Sequence, residues 1–177
     1  MQGSGRLMRK FASFCVIAAS VIWAALTAAN AAEVPKVLNA DGLSAYLEVS
    51  AVGVQIYVCS KKDPAAWAWV FKAPEATLSD VKQKPFGKHY AGPTWEGLDG
   101  SKVVGAVRAS LPGATASDIP WLRLDVKSRE GTGVLTAASG IVRMSTAGGV
   151  APAQGCDEGH SGAEVRVPYT ATYLFLK

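Results

Sequence analysis

LSAYLEVSAVGVQIYVC, residues 43–59, changes character at nearly every step. Leu43, Ala45, Leu47 and Val49 alternate with Ser44, Tyr46, Glu48 and Ser50, and Val54, Ile56 and Val58 then alternate with Gln55, Tyr57 and Cys59. A period of two belongs to a half-buried β-strand, because successive Cβ atoms of a strand point to opposite faces. The pattern recurs outward from here. Trp67, Trp69 and Phe71 share one face of the next segment, with Ala68, Val70 and Lys72 opposite. Residues 102–110, 121–128, 133–138, 141–146 and 165–176 read as further strands. Turn signals separate them: Lys61-Lys62-Asp63-Pro64, Asp99-Gly100, Leu111-Pro112-Gly113, Glu130-Gly131 and Ala147-Gly148-Gly149. Single helical turns are expected at 75–78, after Pro74, and at 115–119, where Thr115 or Ser117 would cap. No fixed-period repeat or low-complexity linker divides the chain. The spacing predicts one all-β domain over residues 32–177, an antiparallel sandwich or barrel-like fold with few short helical turns.

The N-terminus reads as a secretory signal peptide, residues 1–31. Arg6, Arg9 and Lys10 precede an apolar run from Phe11 to Ala29, and Ala29-Asn30-Ala31 gives the small-x-small pattern of a cleavage site. The run approaches the ~20 residues that span a bilayer, so a membrane anchor is the competing reading. Its alanine richness and the cleavage site favour removal, with no stable membrane anchor afterwards. Cys15 follows the bulky Phe14, which argues against lipoprotein processing. Three of the 18 basic residues, but none of the 14 acids, lie before residue 32, so the remainder is close to neutral. Without a run of five basic residues, the footprint of a nucleic-acid binder is missing. The expected location is exported, in the periplasm or the medium.

Cys59 and Cys156 are the two cysteines beyond the signal segment. In an oxidising compartment two otherwise lone cysteines are expected to pair. A nucleophilic thiol beside a histidine, as in cysteine hydrolases, is the alternative.

The polar residues gather in two places. FGKHYAGPTWEGLDGS, residues 86–101, carries His89, Tyr90, Trp95, Glu96 and Asp99 among turn glycines. If these converge on one rim they form a candidate ligand site, since an aromatic ring beside acids suits a sugar. As a structural segment, the same stretch is a tight turn with Trp95 plugging the core. Glu96 and Asp99 would serve a glycosidase only at a fixed separation that sequence does not supply. The second cluster, GCDEGH at 155–160, offers Asp157, Glu158 and His160 as weak metal candidates, with His89 joining from elsewhere. Two histidines beyond the signal segment are few for zinc, and a solvated glycine-rich loop beside Cys156 is the plainer reading. No Gly-x-Ser-x-Gly elbow and no phosphate-binding glycine loop occurs. Arg123 and Asp125, on the same face as Trp121, read as a pair on an exposed sheet face. No cofactor is implied.

GVQIYVC at 53–59, APEATL at 73–78, HYAGPTWEGLDGS at 89–101, DIPWLRL at 118–124, GIVRMSTAGGVAPAQGC at 140–156 and VPYTATYLF at 167–175 occur in an order that resembles the secreted family known as domain of unknown function 3455. The resemblance spans nearly all of the chain beyond residue 31. It implies an exported single-domain protein whose paired cysteines lie in these same two blocks, and it implies no activity. The chain departs from the family's IPWLL-type block by carrying Arg123 at an apolar position. Three functions therefore stand. The first is a non-catalytic β domain binding a small molecule or glycan around 89–99. The second is a structural envelope or secreted protein without a small-molecule site. The third is a hydrolase using His89 with Glu96 or Asp99. Sequence leaves the oligomeric state open.

Overall fold

The computed structural model describes residues 33–177, apart from 40, 64 and 65, together with residues 1 and 3. The expected secretory segment and Pro64 of the first turn signal thus lie outside the described residues, save those two isolated positions. Among the described residues no helix is long and apolar enough to cross a membrane.

Eight antiparallel strands follow one another around a closed barrel. They are β1 Ala45–Asp63, β2 Ala66–Asp80, β3 Pro85–Tyr90, β4 Thr94–Gly97, β5 Lys102–Leu111, β6 Trp121–Glu130, β7 Gly140–Gly148 and β8 Glu164–Leu176. Each strand pairs with the next, and β1 closes the ring on β8 in a register that runs from Ala45↔Leu176 to Val58↔Glu164. An eight-stranded barrel has an interior just wide enough to be filled by side chains or to hold one small ligand. This one is filled by side chains at one end and leaves a cavity at the other.

The end formed by the start of β1 and the end of β8 is filled. Val49, Ala51, Leu78, Val103, Ile141, Tyr173 and Phe175 are buried there with Trp95. A 3-10 turn, Val134–Ala137, lies across this end with Leu135 fully buried. Residues 133–138, expected as a strand, form this turn because Gly131 and Gly133 adopt φ of 71° and 148°, which strand pairing does not use. Asp99 fastens the plug. Its carboxylate accepts hydrogen bonds from Val134 N at 2.8 Å and from Ser101 N and Oγ at 2.9 and 2.6 Å.

The two helical turns expected from sequence are also replaced. Residues 75–78 belong to β2, with Pro74 paired to Gln55 of β1. Proline is tolerated there because β3 pairs with β2 only from Ala76 onward, so Pro74 needs no donor on that side. Residues 115–118 make a β-turn closed by Asp118 N on Thr115 O at 3.1 Å, with the Asp118 carboxylate accepting from Thr115 N and Oγ1.

Arg123 corrects the sheet-face reading. Its side chain is 3 % exposed and donates to Asp41 at 2.9 Å, while Asp125 is 4.0 Å away and only a distant partner. The segment containing Leu38 and Asp41 passes over the outside of the barrel. It covers Val142, Met144, Leu174 and Leu176, which form a second apolar cluster with Leu38. The guanidinium of Arg123 lies over Gly140, where an added Cβ would come within 1.6 Å of Nη1. Where this segment covers it, the outer face of β6–β8 is dry, and a charge can be buried there because Asp41 supplies the counter-charge.

Candidate functional site

The parity of β1 builds the other end of the barrel. Odd positions bury Val49 and Ala51 inside, and β1 keeps an unbroken register with β8 from Leu47 to Val58. The odd face therefore continues through Gln55 and Tyr57, although the apolar residues have moved to the even positions Val54, Ile56 and Val58. Polar groups are carried inward exactly where packing alone would have chosen valine and isoleucine. They border a cavity of about 380 Å³ that opens at this end.

Its wall mixes apolar and donor groups. Phe71, Val107, Ile119, Leu122 and Leu124 give the apolar part, and Gln55, Tyr57, His89, Trp95, Arg143 and Tyr173 the polar part. Pro93 and Gly92, from the turn between β3 and β4, sit at the mouth with Pro120. The loop after β7 is held against this end. Tyr57 Oη donates to Gly149 O at 2.6 Å, Trp69 Nε1 to Gln154 O at 2.9 Å, and Cys59 is disulfide-bonded to Cys156. The expected cystine is therefore present, and the free-thiol alternative falls with it.

His89 and Trp95 are cross-strand partners in the β3–β4 hairpin, so both point into the barrel. Their rings stack with centroids 4.3 Å apart, and Tyr173 lies 5.1 Å from His89. Gly105 faces the same space: an added Cβ would meet Trp95 Cζ3 at 3.1 Å, so the indole occupies the room that a side chain would take. His89 Nδ1 lies 2.8 Å from Thr94 O, a carbonyl that can only accept. Nδ1 therefore carries the proton, and Nε2 is left as the acceptor of a neutral ring. Burial drives the His89 pKa down to about 4, against a partial opposing effect of the Thr94 hydrogen bond, and the charge of Arg143 lowers it further.

The sign of the resulting pH dependence follows. An unfolded histidine takes up its proton near pH 6.5, whereas folded His89 does so near 4. Below pH 6.5 the unfolded chain holds more protons, so stability is expected to fall as the pH drops from 6.5 to 4, by about 3 kcal/mol in all. The carboxylates with lowered pKa values, Asp41, Asp99 and Asp118 from 3.8 and Glu96 from 4.5, add a smaller loss as the pH nears those ordinary values, because the unfolded chain takes up their protons first. Urea midpoints at pH 7 and pH 5, above the range where the carboxylates protonate, should separate in the wild type and nearly close up in His89→Gln. Equal separations in both proteins would rule out His89 as the titrating group.

The remaining candidates from sequence do not share this space. Tyr90 and Glu96 belong to the other parity of the same hairpin and meet on the outer surface, Tyr90 Oη donating to Glu96 Oε2 at 2.6 Å. That bond lowers the Glu96 pKa and raises that of Tyr90. Lys88 completes the pair at 3.3 Å from Glu96. Asp99 is occupied at the plugged end. The single rim expected from residues 89–99 is thus split three ways by strand alternation and by the β4–β5 turn. In the second cluster, His160 Nδ1 and Asp157 Oδ1 are 2.7 Å apart on an exposed loop, while His89 is only 2 % exposed inside the barrel and does not join them. Among the described residues no three His, Cys, Asp or Glu side chains are grouped to hold a metal ion.

The sequence model of a protein family of unknown function, DUF3455, matches residues 39–177. The chain belongs to this family. The match starts at Asn39 and runs through β8, so both the cavity and the cystine lie inside the DUF3455 region. No curated protein and no solved structure matches the chain.

The DUF3455 barrel also contains site residues that sequence reasoning passed over. Arg143 stands on β7 between Leu122 of β6 and Tyr173 of β8, which are its cross-strand partners and also line the cavity. The available signal was a lone arginine sharing the parity of buried Ile141. It was obscured because Val142 and Met144, on the opposite parity, are apolar as well.

Proposed function

We propose that this chain is an exported, non-catalytic binding protein that takes one small molecule into the open end of its barrel. The observation that carries this reading is the cavity of about 380 Å³ enclosed by strands whose other end is plugged. Ligand sites of ~300–1,000 Å³, mostly apolar with a few placed polar groups, are the common form of small-molecule pockets. The cystine and the signal-like N-terminus support export. A hydrolase reading would need a carboxylate beside His89, and among the described residues no Asp or Glu lines the cavity. The acids once grouped with His89 serve an outer-surface pair and a turn instead. A glycan is less well served than a compact apolar molecule, because Trp95 is only 1 % exposed and offers no open ring face.

The test uses the full chain with its disulfide intact. A fragment panel should contain members that raise the Tm, since binding to the native state alone stabilises it by mass action. Val107→Trp, at an exposed position of the mouth, should leave the fold standing and abolish those shifts. Shifts that survive in Val107→Trp would place the ligand elsewhere. A panel without a single hit would favour a purely structural protein.

A further inference from the structure

We infer that the ligand of the barrel cavity is an organic acid, an apolar body bearing a carboxylate that is received by Arg143. The inference rests on the binding reading above and adds the chemical class. It begins with the charges of the wall. Lys72 and Arg143 line the cavity, and among the described residues no acid does. Lys72 is already committed to Glu164. Arg143 has no carboxylate within ion-pair distance among the described residues: its Nε and Nη2 donate to Pro120 O, at 3.0 and 2.8 Å. A guanidinium carries five N–H donors in a planar fork suited to a carboxylate, so donors remain for a second acceptor.

The neighbouring polar atoms repeat the bias. Gln55 Nε2, Trp95 Nε1 and Tyr173 Oη belong to wall residues, are buried, and have no hydrogen-bond partner among the described residues. Amide and indole nitrogens are donors only, and the hydroxyl can donate. Buried donors without acceptors are costly, and such groups normally find partners. A carboxylate offers about four lone-pair sites and no donor, so it suits the donors that Arg143 leaves free at the partly exposed wall. A cationic ligand would meet the charge of Arg143 with no acid to hold it. That charge also reaches the interior, where it opposes the rise that burial imposes on the Tyr173 pKa. The rest of the wall is apolar and aromatic, and the volume lies near the small end of ligand cavities, so the body is one or two rings or a short acyl chain.

The experiment measures binding to the full oxidised chain by calorimetry and Tm. Benzoate, 2-naphthoate and decanoate are each compared with the matching amide and the matching protonated amine. The acid of at least one body should bind ten-fold or more tightly than its amide, and the amine should show no binding. Arg143→Gln should remove the acid's advantage and leave the amide's affinity in place, while Arg143→Lys should keep part of it. If Arg143→Gln does not fold, the acid-against-amide ratio in the wild type decides alone. Equal affinities for acid and amide, or an unchanged acid affinity in folded Arg143→Gln, would overturn the carboxylate inference and leave the cavity reading standing. Failure of all nine compounds to bind would remove both.

Discussion

Trp95→Ala is expected to lower the free energy of unfolding by about 3–5 kcal/mol, the range for emptying a fully buried large aromatic site. Trp95 is 1 % exposed and is among the largest fully buried side chains. It stacks on His89, meets Tyr173 edge-on at 5.3 Å and Phe175 at 6.3 Å, and fills the space beside Gly105. The space it leaves would be bordered by a closed hydrogen-bonded ring of strands, which has little freedom to collapse. Urea unfolding at neutral pH measures the change, and a loss below about 1 kcal/mol would mean that the indole is not the central packing element. This alters how binding should be probed. From sequence, Trp95→Ala is the natural variant for removing a ligand while sparing the fold. With the ring in the core, that variant would confuse the two effects, and the exposed Val107 at the mouth is the cleaner handle.

Removing the cystine is expected to be at least as costly. Cys59 and Cys156 are 97 residues apart, and closing a loop of that length contributes about 4–5 kcal/mol in the chain-entropy model. The local effect adds to this. Residues on either side of the bridge pair with each other: Cys59 N donates to Ala163 O and Gly162 N to Cys59 O, at 2.8 and 2.9 Å. The double variant Cys59→Ser/Cys156→Ser should unfold at much lower urea than the wild type. Its ligand affinity should fall as well, because the loop carrying Gly149 and Gln154 borders the mouth. A double variant as stable as the wild type would show that the loop is held by its hydrogen bonds alone.

Much of the fold was legible in the alternation of residues 43–59 and of the segments that repeat it. All-β and antiparallel follow from period two and turn chemistry. Closure does not, because a sandwich and a barrel demand the same alternation and differ only in whether β1 meets β8. Two of the segment assignments failed for local reasons, namely the positive φ of Gly131 and Gly133 and the unpaired side of β2 at Pro74. Arg123 was misread because its outer face is covered by a segment that no pattern within β6 reveals. The site was legible in part. Once residues 85–97 are taken as a hairpin, parity alone sends His89 and Trp95 one way and Tyr90 and Glu96 the other. Gln55, Tyr57 and Arg143 were hidden because they break or blur the apolar pattern, and such local conflicts are expected at functional positions.

The pairing of β1 with β8 also sets the order in which the molecule can come into being. Residues 45–58 wait for partners at 164–176, so no sheet edge is sealed until almost the whole chain exists. At ~5–20 residues per second, synthesis leaves β1 with one bare side for on the order of ten seconds. Contacts of such long sequence separation are also slow to form, because the loop-closure cost comes before the reward. During that interval β1 and whichever strand was made last are both open edges, able to pair with any other nascent copy. A cell making this protein therefore has to keep the growing chain apart from its neighbours, and a copy truncated before residue 164 would remain an unclosed, adhesive sheet.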